Sequence, residues 1–335
     1  MGMGLKGMGA LRGRPCCVRA CASKKGPSPT GSRKRDESFS TTRRDVVFAL
    51  GLGLATTGGS SVALAEEGVA MTPVKSLPKG AKAQQRQEVL GLIKDAIKAN
   101  VSDDYVKCLK LAFLDAVSYD KGAKTGGANG SIALFPDELK ALGLDGELST
   151  TVSQIKKAKE EVERASKFPL TISVADMIVF AAYYKVRSNF IKQIVDKAKD
   201  PTSANVILQG YGNDFPPPPL GRVDAEAPDG SSLSLSTADL AQRALGNGLT
   251  AGNVTALAAC FPTGTLEEVE SQLKEIDGKF AFYTKSYQQS RQTVTQTNYQ
   301  IDFAAGFAKL STLGAKFDVE RYFHPIPKQG LPKKL

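Results

Sequence analysis

Side chains able to do acid–base, nucleophilic or ligand chemistry are few in this 335-residue chain, and they lie far apart. It holds one histidine, His324, no tryptophan and five cysteines. Cys16, Cys17 and Cys21 sit in a basic N-terminal stretch, so only Cys108 and Cys260 lie beyond it. His324 stands in Arg321-Tyr-Phe-His-Pro-Ile-Pro327, beside prolines that favour extended backbone. The sequence has no Cys/His cluster at metal-ligand spacing, no Gly-Xaa-Gly-Xaa-Xaa-Gly and no Gly-Lys-Ser or Gly-Lys-Thr phosphate loop. Its adjacent acids, Glu160-Glu161 and Glu267-Glu268, fall on amphipathic segments, where such pairs form solvated faces rather than an acid and a base aimed at a substrate.

The elements that position these residues read as helices. Ala83 to Ala99 carries Val89, Leu90, Leu92, Ile93, Ala96 and Ile97 among charged residues, a helical stripe. Ser102 or Asp103 is placed to cap a second helix through Ala116, whose Val106, Leu109, Phe113 and Ala116 form a core face. Gly122 to Gly130 is too rich in glycine for a regular element. Leu148 to Ser166 is predicted as a charged helix with Lys156-Lys157 and Glu160-Glu161 four apart and self-paired. Val174 to Arg187 reads as a central apolar helix, and the prolines from 216 to 219 mark a surface connection. Asn253 to Cys260 is a short helix stopped by Pro262 and Gly264; Leu266 to Gly278 is another charged helix, and Phe303 to Leu313 closes the core. With no strand-rich region or repeat, the expectation is an all-α domain.

The net charge of +10 is unevenly placed. Residues 1–65 carry eleven Lys and Arg against three acids, leaving 33 basic and 31 acidic residues in the remainder. A nucleic-acid partner is therefore not indicated. Residues 1–40 read as an organelle transit peptide. Residues 41–65 follow with Thr41-Thr-Arg-Arg-Asp45, an uncharged run from Val46 to Leu64 and Ala63-Leu64-Ala65, the pattern of a twin-arginine signal. Together they address the product to a chloroplast and then to the thylakoid lumen, with a mature domain over 66–335.

Within that domain, Cys108-Leu-Lys-Leu-Ala-Phe-Leu-Asp115 and Gly126-Gly-Ala-Asn-Gly-Ser-Ile132 resemble the distal helix and following loop of class I haem peroxidases, the ascorbate peroxidase branch. Leu249 to Gly264 resembles the family's proximal helix, Thr171-Ile-Ser-Val-Ala-Asp176 its Ile-Ser-Tyr-Ala-Asp helix, Leu220-Gly-Arg-Val-Asp224 its Arg-Xaa-Asp turn, and Asp302 to Gly314 its closing helix. The segments are collinear over about residues 80 to 320. The resemblance implies a haem-peroxidase-like helical fold, and it places the family's reactive groups on residues that lack them. The distal Arg, Trp and His positions hold Lys110, Phe113 and Leu114, and the iron-ligand position holds Phe261.

Peroxide cleavage needs an iron ligand, a base and a fixed cation. Leu114 accepts no proton, Phe261 binds no iron, and an ammonium at Lys110 does not reproduce a guanidinium fork. The family's haem-edge arginine corresponds to Glu270, which would repel an anionic substrate. Cys260 points about 100° away from Phe261 if both lie on one helix. In the family the two helices stand on opposite sides of the cofactor slot, so Cys108 and Cys260 are expected as separate buried thiols. The whole pattern resembles the lumenal ascorbate-peroxidase-like group of plants and algae. That resemblance implies a non-catalytic accessory protein without cofactor, peripherally associated with the lumenal side of photosystem II; the alternative is a haem-dependent ascorbate peroxidase.

Overall fold

The computed structural model describes residues 70–229, 233–295 and 297–328. The expected transit peptide, twin-arginine signal and cleavage point lie outside them. Twelve α-helices occur among the described residues: α1 Lys79–Asn100, α2 Tyr105–Val117, α3 Ser131–Leu134, α4 Pro136–Ala141, α5 Asp145–Ala165, α6 Val174–Lys197, α7 Pro201–Asp214, α8 Thr237–Gly246, α9 Ala251–Ala256, α10 Leu266–Ile276, α11 Gly278–Gln292 and α12 Thr297–Leu310. A 3₁₀ turn, Ala258–Cys260, follows α9. The only ladder among these residues is antiparallel, pairing β1, Met71–Thr72, with β2, Ile326–Pro327. The all-α expectation holds.

Helix α6 is the axis of the domain. Val174 to Tyr183 is buried on every face, as befits a helix apolar all round, and the helix runs ten residues beyond the expected end at Arg187. α2 packs along it, while α1 and α5 pack on one another and on α6. The cap of α2 differs from the expectation. Asp104 accepts the Lys107 amide at 3.3 Å, because Asp103 is turned to Lys185 of α6 (2.9 Å) and the Ser102 amide donates to Gln154 of α5. On α5 the ion pairs join Lys159 to Glu163 and Arg164 to Glu161, one register away from the expected Lys156 and Glu160.

The two motifs around Asp176 and Arg222 meet in one buried node. Arg222 is fully buried, its Nη1 donating to Asp176 (2.8 Å) and Nε to the Ser311 carbonyl (2.9 Å). Asp176 also accepts the Gly221 and Arg222 amides and the Tyr322 hydroxyl. The glycine loop needs its glycines for close approach. A Cβ on Gly127 (φ +105°) would lie 2.4 Å from the Leu313 carbonyl oxygen, and one on Gly130 (φ +79°) 2.8 Å from the Ala175 amide. The loop is thereby seated between α12 and the start of α6, which fixes the end of α2 beside it.

Candidate functional site

α2 and the turn after α9 bring the expected site residues together, and they meet as packed rings. The Phe113 and Phe261 centroids are 4.8 Å apart with planes tilted by 35°, and both side chains are 0% exposed. α2 packs directly on the 258–260 turn. Phe261 is not on a helix: it follows the 3₁₀ turn in extended backbone (φ −72°, ψ 136°), because the chain leaves α9 before Pro262. Leu114 is buried on the neighbouring face of α2. Lys110 leaves the pair, its Nζ lying 2.8 Å from Glu147 in the first turn of α5.

The remaining expected residues are placed structurally. Cys108 and Cys260 are buried free thiols, but not because a slot separates their segments, since α2 and the turn are in contact. Burial pushes the Cys108 thiol up to about 12 despite the Lys185 charge, and pushes Cys260 further still. Neither offers the thiolate that ligation requires. Glu270, expected as a repelling charge, is instead buried against Arg291 and accepts from Gln288 at 2.9 Å. It faces no open edge. His324 stacks on Phe168 (3.9 Å between centroids), with its backbone held by Gln85 of α1.

A cluster that the sequence reading missed lies on the other side of Leu114. Asp115 accepts the Gly130 amide at Oδ2 (2.9 Å), and Ser131 Oγ lies 3.0 Å from Glu138 and 2.9 Å from Asp229. Ser118 Oγ is 2.7 Å from Asp229, whose amide donates to Glu138 at 2.7 Å. Burial raises the Asp115 carboxyl well above its ordinary range, with the Asp229 and Glu138 charges adding to the rise. Burial likewise raises Glu138, against the hydrogen bonds it accepts. The available signal was Asp115 itself, an acid on an otherwise apolar stretch of α2.

Comparison with known proteins agrees with this architecture. A family model described as Peroxidase matches residues 86–331. The chain belongs to the peroxidase family. It is 32% identical over 235 residues to the thylakoid lumenal 29 kDa protein, chloroplastic, of Arabidopsis thaliana, covering 67% of this chain and 66%, just under two thirds, of that relative. It is 31% identical over 264 residues to the protein of the same name from Solanum lycopersicum, covering 75% of each. Among solved structures, the TL29 protein from Arabidopsis thaliana superposes with a TM-score of 0.62 at 29% identity, over 73% of this chain and 99% of that one. This member of the family is accordingly a chloroplast protein of the thylakoid lumen, the location both relatives' names carry.

Haem is the group the family implies, and the residues present do not fit it. A flat macrocycle in van der Waals contact with both rings needs about 7 Å between them, twice a carbon–carbon contact of about 3.5 Å. The rings stand 4.8 Å apart. No imidazole or thiolate stands in place of the missing iron ligand, since Phe261 occupies that position and Cys260 is held as a thiol.

Proposed function

We propose that this chain is a non-catalytic, peroxidase-fold accessory protein of the thylakoid lumen, without a haem cofactor, that associates peripherally with the lumenal side of photosystem II. The contact of Phe113 with Phe261 carries the first half of the reading. The two rings pack on each other at the positions that the resemblance assigns to the distal and proximal sides of a haem, and Lys110, at the distal arginine's position, pairs with Glu147. Without base, fixed cation or ligand, no step of peroxide cleavage has a residue to perform it.

Association with photosystem II is what the family resemblance implies; the relatives' names support the lumenal location, and the outer surface suits peripheral docking. α5 and α10 present mixed charges, with Lys159–Glu163 and Arg164–Glu161 on α5 and Glu267 and Glu268 opening α10. Among the described residues no helix is long and apolar enough to cross a membrane. A mixed polar face gives contacts that salt screens beyond about 0.1 M, where the Debye length is near 10 Å.

Two measurements test the halves separately. Purified protein incubated with haem and gel-filtered is expected to show no Soret band and no ascorbate-dependent peroxide turnover; a stoichiometric band that survives filtration would reinstate the enzyme. Thylakoids fractionated at low salt are expected to carry the protein with photosystem II and to lose it on salt washing. Retention until detergent, or absence from photosystem II fractions at low salt, would remove the partner.

A further inference from the structure

The acidic cluster beside Leu114 opens into a cavity of about 490 Å³ between the end of α2, α3, α4 and the segment around Pro228. Phe113 and Phe261 do not line it, although Leu114, next to Phe113 on α2, does. Its walls are apolar, from Leu114, Ile132, Leu142, Pro228 and Leu233, and its polar end holds Asp115, Ser118, Ser131 and Glu138. The size falls within the range of small-molecule sites, roughly 300–1,000 Å³.

The polar end is short of positive charge and of protons. Among the described residues no lysine or arginine forms an ion pair with Asp115, Glu138 or Asp229. Arg222 feels the Asp115 charge but is bound to Asp176. Arg243 donates to the Ser118 carbonyl, and Lys140 pairs with Asp137 at the rim. The Ser118 hydroxyl lies 2.6 Å from the Asp115 carbonyl and 2.7 Å from Asp229, and Ser131 lies between Glu138 and Asp229. Each hydroxyl has one proton to give, so two protons face four acceptor contacts. Asp115 is 1% exposed and lines the cavity; the Ile132 amide faces its carboxyl besides Gly130, but Oδ1 makes no hydrogen bond of ordinary geometry. Leaving such an oxygen buried without one is costly.

We propose that this cavity binds a small organic cation, a primary ammonium on an apolar stem, with the ammonium donating to Asp115 Oδ1 and to the oxygens shared around Ser131 and the stem lying against Leu114, Ile132 and Leu142. A bare divalent ion suits the cluster less well, since it requires six or more converging oxygens. The other carboxylate oxygens are already engaged: Asp115 Oδ2 by Gly130, Asp229 Oδ1 by Asn129, and Glu138 Oε1 by the Asp229 amide. No group of three acids stands at metal spacing among the described residues. An ammonium brings three donors and no acceptor, which is what the cluster lacks. This site is independent of whether the chain turns over peroxide.

Isothermal titration calorimetry of the purified full chain with benzylamine, against benzyl alcohol and against calcium chloride, tests it. Benzylamine is expected to bind saturably and at least about tenfold more tightly than benzyl alcohol, the scale of one charge-assisted hydrogen bond. Glu138→Gln should weaken it about tenfold, and Ala141→Trp, which fills the cavity mouth from an exposed position, should abolish it without touching the acids. Both positions spare the fully buried Asp115, and a circular dichroism spectrum checks that each variant is folded. Affinity should fall on acidification, because protons compete for the same oxygens. N-acetyl-lysine amide as a competitor distinguishes the source: displacement upholds the site as one for a protein side chain, and failure to displace upholds it as one for a free amine. Equal binding of benzyl alcohol, no saturable heat from benzylamine, unchanged affinity in folded Glu138→Gln, or displacement of benzylamine by stoichiometric calcium would each overturn the proposal.

Discussion

Truncating Phe113 and Phe261, singly and together, probes the closed slot. Each ring is wholly buried and their centroids are 4.8 Å apart. Phe113→Ala or Phe261→Ala therefore removes packed volume that the neighbours refill only in part, at about 3–5 kcal/mol each. An aromatic pair contributes about 0.5–1.5 kcal/mol beyond its buried area. Once one ring is gone that contribution has already been lost, and the second truncation enlarges an existing cavity. The double variant should thus fall short of the sum of the singles by about 1 kcal/mol. Urea unfolding with an unchanged m-value reads these differences, and each kcal/mol should lower the melting temperature by roughly 2–4 °C in a domain of this size. If the singles add to within about 0.3–0.5 kcal/mol, as sites without contact do, or if either costs less than about 1 kcal/mol, the rings do not fill the slot and the reasoning fails.

Arg222→Met should destabilise by about 3–5 kcal/mol in the same assay, because it strands the buried Asp176 carboxylate; Lys110→Ala, whose partner Glu147 is partly exposed, should cost no more than about 1 kcal/mol. Gly127→Ala should cost more than about 1 kcal/mol, since its Cβ meets the Leu313 carbonyl at φ +105°. Gly91→Ala on α1, where a Cβ meets nothing, should stabilise by about 0.5–1 kcal/mol. Cys108 and Cys260 should resist a disulfide reagent at about pH 8 until the chain unfolds, because burial raises both thiols; reaction in the native state would contradict this. Asp115 and Glu138 hold their protons more tightly in the folded chain, so the stability they contribute is fully present below their ordinary values of 3.8 and 4.5 and is lost as pH rises through the raised folded values. Glu138→Gln, a mimic of the protonated form, should flatten that part of the slope in urea midpoints measured from about pH 4 to 8.

Much of the helical frame could be read from side-chain periodicity, and the places where it could not have physical reasons. α1, α2 and α6 carry aliphatic stripes, so their existence follows from the residues that must be buried. α11 was missed because its inner face is Phe280, Thr284, Tyr287 and Ser290, a helical spacing in which three of the four members carry hydroxyls. α8 was missed although Ser236 and Asp239 signal its start, Ser236 accepting the Asp239 amide; only Leu240, Ala241 and Ala244 are apolar on its buried side. At the site, the family resemblance put Lys110, Phe113, Leu114 and Phe261 at the positions where the family has its reactive groups. It could not reveal that Phe113 and Phe261 touch, nor that Glu270 turns inward to Arg291. Those facts depend on how α2 settles on a turn almost 150 residues away, and no local pattern records that distance.

The filled slot and the acidic cavity are built from adjacent positions of α2. Its Phe113 face meets Phe261, and Leu114 stands where a distal base would point. The next residue, Asp115, is a buried carboxyl whose Oδ1 makes no hydrogen bond of ordinary geometry, so an acid remains on this helix beside the packed rings. A proton and an ammonium are then rivals for the same oxygens. Acid conditions favour the proton, because burial already raises Asp115 and Glu138, whereas a bound ammonium would draw both carboxyls back toward ionisation. Occupancy should therefore release protons as the amine binds. Benzylamine titrations in two buffers of different ionisation enthalpy would count them, and identical heats in both would mean that the cation does not sit on these carboxyls.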